Sequence, residues 1–293
     1  IHVRPSGDPE GPPPEARRLR LLIRSRPEVY GIYPGYAYVL GGSPEAEDPD
    51  ALTVPGPTLV LVKGERVAIT LVNESHESAA VHWHGIELDS WPDGVPGWSG
   101  EGKRLLSAIP PRDSLTVRFT PPRAGTFMYH SHFNEMQQTS SGLYGPIVVL
   151  EPGQTFDPET DRVLVFSDGG PWSSFIDEST IPPTWLNGRV DPEPLELLAG
   201  TTYRFRLINI LTETSVGVEL GRGEEPVAWR AIAKDGADLP PALATERPAR
   251  LEFLPGEIYD FAFTPEAPGE LELAFGKRAP ETYTRVPVLV RRK

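Results

Sequence analysis

Pro111-Arg-Asp-Ser-Leu-Thr-Val-Arg-Phe-Thr-Pro-Pro-Arg-Ala-Gly125 recurs 144 positions later as Pro255-Gly-Glu-Ile-Tyr-Asp-Phe-Ala-Phe-Thr-Pro-Glu-Ala-Pro-Gly269. In both copies an apolar run leads into Phe-Thr-Pro and then a glycine, the pattern of a strand that ends in a turn. Upstream, Gly64-Glu-Arg-Val-Ala-Ile-Thr-Leu-Val-Asn73 resembles Gly200-Thr-Thr-Tyr-Arg-Phe-Arg-Leu-Ile-Asn209 at an offset of 136. Self-similarity at nearly constant spacing indicates that one structural unit is written twice.

Short apolar runs separated by proline and glycine fill much of the remaining chain. Helical periodicity with capping residues is hard to find. We therefore predict an all-β pair of sandwiches. The predicted strands are Leu19–Ile23, Thr58–Val62, Arg66–Val72, Leu115–Phe119, Gly145–Leu150, Val163–Phe166, Thr202–Ile208, Ile258–Phe263 and Val286–Val290.

The length of 293 residues is enough for two domains, each with its own core. We place the first domain at residues 19–153 and the second at 154–293, with the boundary near Glu151–Pro158. Residues 1–18 are expected to hold the tail of a missing preceding domain and a Pro/Gly-rich linker. The chain begins without Met or a signal pattern, so we expect a processed or excised segment; a ragged terminus is the alternative.

The composition excludes several classes of function. Acidic residues number 41 and basic residues 28, a net charge of −13, which disfavours nucleic acid as a partner. No apolar run approaches the ~20 residues of a membrane span. The chain has no cysteine, which excludes disulfides, zinc–thiolate sites, iron–sulfur clusters and cysteine nucleophiles.

Four of the six histidines form two His-x-His pairs, His82-Trp-His84 and His130-Ser-His132. Residues i and i+2 of a strand face the same side, so each pair offers two neighbouring imidazoles. Two such strands side by side would bring four imidazoles together, a set that suits copper, zinc or nickel, with copper highest in affinity. The alternative is a polar pair on a solvated strand face.

The internal repeat favours a chemical role for the second pair. His130 and His132 correspond to Ala274 and Gly276 in the second copy, so the fold does not require histidine there. We therefore assign the metal site to the first domain and expect the second to act as scaffold.

The segments that carry these histidines resemble the first cupredoxin domain of laccase-type multicopper oxidases. The second half resembles the non-ligating middle domain of that family. The resemblance implies two cupredoxin-like Greek-key β-sandwich domains. It rests on Val81–Gly85, Trp91–Gly94, Gly125–His132, Ser141–Val149, Leu186–Gly188, Tyr203–Asn209 and Lys234–Gly236.

Carried over from the family, His82 would be a type-2 copper ligand, whereas His84, His130 and His132 would serve the type-3 coppers. Asp93 stands where the family has a carboxylate that orients water and passes protons. The alternative for Asp93 is an ordinary turn residue in Pro-Asp-Gly.

The chain also departs from the family pattern. A complete trinuclear cluster in this family needs eight histidines, and the His-Cys-His segment of the type-1 copper site is missing. The resemblance thus implies half of a trinuclear copper site for the reduction of dioxygen to water, coupled to oxidation of a small reducing substrate. A missing type-1-copper cupredoxin domain or a partner chain would complete it, and the chain alone should be inactive.

Ile1-His-Val-Arg-Pro5 resembles the end of such a type-1 domain, which would make this the C-terminal part of a permuted member. We expect a secreted or periplasmic location. Two alternatives stay open: a non-catalytic copper-binding cupredoxin module, and a structural sandwich without metal.

Overall fold

The computed structural model describes residues 16–171, 183–223, 225–277 and 283–293. The predicted domain tail and most of the linker, at residues 1–15, lie outside this range. Strands dominate the described residues, and the helices among them have four residues each. Every described helix is therefore too short to span a bilayer.

The first half contains β1 (Arg17–Tyr30), β2 (Tyr33–Leu40), α1 (Pro44–Glu47), β3 (Leu59–Val62), β4 (Val67–Asn73), β5 (His82–His84), α2 (Ser90–Asp93), β6 (Gly100–Glu101), β7 (Arg104–Leu105), β8 (Ser114–Phe119), β9 (Gly125–His130), α3 (Glu135–Gln138) and β10 (Tyr144–Leu150). The second half contains β11 (Asp161–Asp168), β12 (Thr184–Leu186), β13 (Leu195–Leu198), β14 (Tyr203–Asn209), β15 (Val216–Arg222), β16 (Glu225–Pro226), β17 (Ala228–Lys234), β18 (Ala237–Asp238), β19 (Glu246–Pro248), β20 (Arg250–Phe253), β21 (Ile258–Phe263), β22 (Gly269–Gly276) and β23 (Thr284–Arg291). The all-β prediction is confirmed, and every predicted run overlaps a strand.

Both halves share one sheet topology. The first sandwich pairs a β2-β1-β4-β8 sheet with a β3-β10-β9-β5 sheet. The second sandwich repeats this order as β12-β11-β14-β21 and β13-β23-β22-β15, and β17, β18 and β19 extend the first of these sheets while β16 and β20 extend the second. The repeated segments form equivalent strands, since β4 matches β14 and β8 matches β21 at the offsets seen in the sequence. The sequence repeat is therefore a structural repeat.

Alternation along two neighbouring strands determines which residues enter the core of the first sandwich. Trp83 of β5 and both Phe127 and Tyr129 of β9 are fully buried between the sheets. Successive side chains of a strand point to opposite faces. His82, His84 and His130 therefore face away from this core.

The outer face of β9 packs against the second sandwich. Thr126 donates a hydrogen bond to Asp260 at 2.7 Å and accepts one from Arg206 at 2.7 Å. Asp260 also accepts from Arg204 at 2.8 Å, and Asp260 and Arg206 are both buried. Met128 lies in a small apolar cluster with residues of β11, β14 and β21. Buried charge and apolar contact together hold the two sandwiches at one angle.

We expect Asp260→Ala to destabilise the chain by about 3–5 kcal/mol, because it leaves the buried Arg206 guanidinium without one of its carboxylates. The free energy of unfolding, measured with guanidinium chloride, tests this. Glu196→Ala, which removes an exposed ion pair with Arg291, is the control and should change stability little. Equal effects of the two substitutions would contradict the prediction.

Candidate metal centre

The two His-x-His pairs meet where β5 lies antiparallel to β9. In this register His82 stands directly opposite His130. His130 is the last residue of β9, and His132 follows two residues later, where the chain turns toward α3. The sequence prediction of two pairs in neighbouring strands therefore needs one correction, because the second pair straddles the end of its strand.

The four imidazoles form one cluster. Ring centroids lie 5.5 Å apart for His82–His130, His82–His132 and His84–His130. Within each pair, the ring centroids are 5.7 Å apart for His82–His84 and 5.9 Å apart for His130–His132. One ring nitrogen from each of His82, His84 and His130 lies within 4.8 Å of the other two. The structure thus brings together all four predicted ligand residues.

Hydrogen bonds to backbone carbonyls determine the tautomers of two rings. His82 Nδ1 lies 2.9 Å from the Asp93 carbonyl, and His130 Nδ1 lies 2.9 Å from the Ser131 carbonyl. A carbonyl oxygen only accepts, so both Nδ1 atoms carry the hydrogen and both Nε2 atoms keep a lone pair. His130 Nε2 lies 3.4 Å from His84 Nδ1, so the ring nitrogens converge.

Asp93 contacts the Nδ1 side of His82. Its carboxylate Oδ1 lies 3.5 Å from this nitrogen, and Oδ2 accepts a 3.3 Å hydrogen bond from Ser99. Asp93 ends α2, and Gly94 follows with φ of 87°, a left-handed conformation that glycine adopts without strain. The arrangement makes Asp93 an orienting partner of one imidazole.

Burial keeps the inner rings neutral. Desolvation, aided by the neighbouring His82 and His84, lowers the pKa of His130 to about 3. Desolvation followed by repulsion from His82 also lowers the pKa of His84. Neutral imidazole is the form that binds a metal ion, so these rings need not lose a proton at neutral pH.

The cluster opens into a cavity of about 250 Å³ between the two sandwiches. The first sandwich supplies the four histidines with Met128, Glu135, Met136 and Thr139. The second sandwich supplies Ile210, Leu211, Thr212, Pro255 and Gly256. A Cβ added at Gly256 would lie 3.2 Å from His84 Cε1, a very close approach. The second sandwich, which the sequence predicts to act as scaffold, therefore also forms one wall of the cavity.

Arg123 connects the second sandwich to the end of the first His pair. Its Nη2 donates to the carbonyls of Gly85 and Asp235, each at 3.0 Å. Gly85 directly follows His84, and Asp235 belongs to the second sandwich. The bridge holds the end of β5 against the second sandwich.

The second sandwich carries no matching imidazoles. Glu219 of β15 stands opposite Ala274 of β22, the register that His82 and His130 occupy in the first sandwich. The equivalent of His132 is Gly276, as the sequence repeat indicates. The same backbone pairing therefore exists in both sandwiches with ligand side chains in one.

Sequence reasoning missed Glu135 and the cavity wall. Glu135 lies 3.7 Å from His130 Nδ1 and 3.8 Å from His132 Nδ1. A His-x-His-x-x-Glu spacing was the available signal for it. The wall residues carry no signal, because their position depends on how the two sandwiches dock.

Part of the chain that contains both His pairs resembles known proteins in sequence. Residues 52–154 match the multicopper oxidase family model. A copper resistance protein A homologue of Pseudomonas syringae pv. tomato is 38% identical over 117 residues, covering 39% of this chain and 18% of the relative. The L-ascorbate oxidase of Nicotiana tabacum is 33% identical over 179 residues, covering 56% of this chain and 30% of the relative.

A solved multicopper oxidase structure from Aquifex aeolicus has the same fold, with a TM-score of 0.70 at 19% identity. The likeness covers 95% of this chain and 62% of that one. The two curated relatives match over less than a third of their own length.

The low pKa of His130 predicts a pH-dependent stability of the metal-free chain. In the unfolded chain histidine titrates near the ordinary value of about 6.5, so the unfolded state gains a proton first as pH falls. The contribution of His130 to the free energy of unfolding is therefore complete above a pH of about 6.5. It declines as the pH falls toward about 3, by up to roughly 1.4 kcal/mol per pH unit.

The measurement is denaturant unfolding at pH 7, 5.5 and 4 in chelator-treated buffer. His130→Asn should flatten the decline relative to the unsubstituted chain. Parallel profiles for the two proteins would show that His130 is not held neutral by the fold.

Proposed function

We propose that this chain, whose residues 52–154 match the multicopper oxidase family model, is the copper-binding part of a laccase-like oxidase. It would supply half of a trinuclear copper site for the reduction of dioxygen to water, coupled to oxidation of a small reducing substrate. The observation that carries the proposal is the single cluster of four imidazoles.

The donor set fits copper. The converging atoms are imidazole nitrogens, and copper stands highest in affinity for such ligands. The hydrogens on His82 and His130 point to carbonyls, so the lone pairs of both Nε2 atoms face the cluster, where His130 Nε2 lies 3.4 Å from His84 Nδ1. Copper held here would supply one-electron redox chemistry toward dioxygen. Burial keeps His84 and His130 neutral, backbone carbonyls fix the tautomers of His82 and His130, and the second sandwich forms one wall of the cavity.

We assign His82 to the type-2 copper and His84, His130 and His132 to the type-3 coppers. The separation of 3.4 Å between His84 Nδ1 and His130 Nε2 is close to that expected for two nitrogens bound to one ion at about 2.0 Å from each. His82 differs from the other three in its contact with Asp93, which supports a separate role.

The remaining histidines and the type-1 copper would come from a preceding domain or a partner chain, because this chain contains no cysteine. The exposure of His132, Phe133 and Met136 near the cavity supports a covering partner on that side. A secreted or periplasmic location belongs to the same proposal.

The absence of cysteine equally favours a second candidate, a non-catalytic copper-binding cupredoxin module. It uses the same four histidines and differs only in never reducing dioxygen. The two candidates therefore separate in oxygen consumption and agree in copper uptake.

Copper titration of the chain tests the ligand assignment. We expect His82→Ala and His130→Ala each to weaken Cu²⁺ binding by more than about 100-fold, since a lost ligand should cost more than a lost partner of a ligand. His76→Ala, on an exposed loop, is the matched control. If the unsubstituted chain and all three variants bound Cu²⁺ with equal affinity, the two His pairs would not be copper ligands. The structural sandwich without metal would then be the remaining interpretation of the first domain.

The same titrated chain, mixed with a type-1-copper cupredoxin domain, should consume dioxygen in the presence of a phenol. Copper uptake with no oxygen consumption under any such pairing would favour the non-catalytic module instead.

The substitution Asp93→Asn distinguishes two roles of Asp93, namely orientation of the His82 ring and proton transfer by the carboxylate. The His82 hydrogen bond goes to the Asp93 backbone carbonyl, which asparagine retains, so copper content should stay unchanged. Loss of the carboxylate should slow turnover of the assembled oxidase by about 10²-fold or more. Copper loss from the variant would make Asp93 an anchor of the ligand rather than a proton carrier.

A further inference from the structure

Glu135 is an acidic residue that faces the second His pair from α3. Its two carboxylate oxygens divide between the rings, with Oε1 3.7 Å from His130 Nδ1 and Oε2 3.8 Å from His132 Nδ1. Both separations are longer than a hydrogen bond, so the carboxylate acts on the two rings through its negative charge. Glu135 is thus the group that can act on the tautomer of His132.

The short helix that carries Glu135 is clamped to the residue between the two histidines. Ser131 donates to Gln138 Oε1 at 2.7 Å, and Thr139 donates to the Ser131 carbonyl at 3.1 Å. Gln138 is fully buried and donates to the Ser78 carbonyl at 2.8 Å. These contacts fix α3 relative to the His pair, so the approach of Glu135 is built into the fold.

The negative charge of a carboxylate favours the imidazole tautomer whose N–H dipole points toward it. Beside Glu135, the nitrogen that carries the hydrogen in this tautomer is Nδ1 of His132. The lone pair is then left on Nε2. A ligand imidazole commonly has its other nitrogen held by a carboxylate or carbonyl in this way, which fixes the ring and raises its basicity.

We propose that Glu135 is a positioning residue that holds the hydrogen of His132 on Nδ1 and presents Nε2 to copper. The proposal rests on the copper function proposed above. It gives each His pair one carboxylate, Asp93 for the first and Glu135 for the second. His130 needs no such help, because the Ser131 carbonyl already fixes its tautomer.

Nitrogen-15 NMR of the metal-free chain at pH 8 tests the tautomers directly, before any metal is added. We expect a predominant Nδ1–H form for His132 in the unsubstituted chain. Glu135→Gln should shift His132 toward a mixture of the two tautomers, whereas His130 should keep its form and serve as internal reference. An unchanged His132 in the variant would overturn the proposal.

Cu²⁺ titration is the second arm. Glu135→Gln should weaken binding about 10-fold, and Glu135→Asp, which keeps the charge, should recover part of the loss. Glu47→Gln removes the same charge on the exposed helix α1 and controls for net charge alone. Equal weakening in Glu47→Gln and Glu135→Gln would overturn the positioning role.

The two arms also separate this proposal from the function on which it rests. A tautomer shift in a chain that binds no copper would refute the copper function and leave the action of Glu135 on His132 intact. Thermal unfolding of each variant shows whether the fold is retained.

Discussion

Burial of Trp83 between the two sheets of the first sandwich is the constraint on which the histidine cluster depends. The indole occupies the core side of β5, and the alternation of a strand then sends His82 and His84 to the opposite side. Tyr129 imposes the same choice on β9 and turns His130 outward. A slip of one residue in either strand would exchange core and ligand side chains, so the packing that stabilises the sandwich also fixes the metal-binding face.

The outer face of β9 serves the docking of the sandwiches and the cavity at once. Thr126 enters the buried network around Asp260, and Met128 packs against apolar residues of the second sandwich. His130 continues the same row of side chains into the cavity. Because these residues alternate along one strand, a change in the angle between the sandwiches would also move the wall that Gly256 places against His84. The second sandwich therefore contributes to the shape of the cavity, and its sequence contains no histidine.

Much of this arrangement could be predicted from the sequence, because it depends on local periodicity. The repeats at offsets of 144 and 136 predicted equivalent strands, and the His-x-His spacing predicted imidazoles on one face. The tautomers could not be predicted, since they depend on carbonyls of Asp93 and Ser131 whose directions arise from turns. The position of His132 beyond the end of β9 and the approach of Glu135 depend on α3, a helix too short to leave a periodic signal.

The two copies of the fold separate what the architecture requires from what the chemistry adds. Glu219 and Ala274 occupy the paired positions that His82 and His130 hold in the first copy, and the strands pair in the same way. Folding therefore places no demand for histidine at these positions. In the first copy, burial of the His130 imidazole removes it from water and lowers its pKa, so the ring stays neutral. We infer that a cluster which the fold does not need, and whose buried imidazole opposes protonation, serves the binding of the copper proposed above.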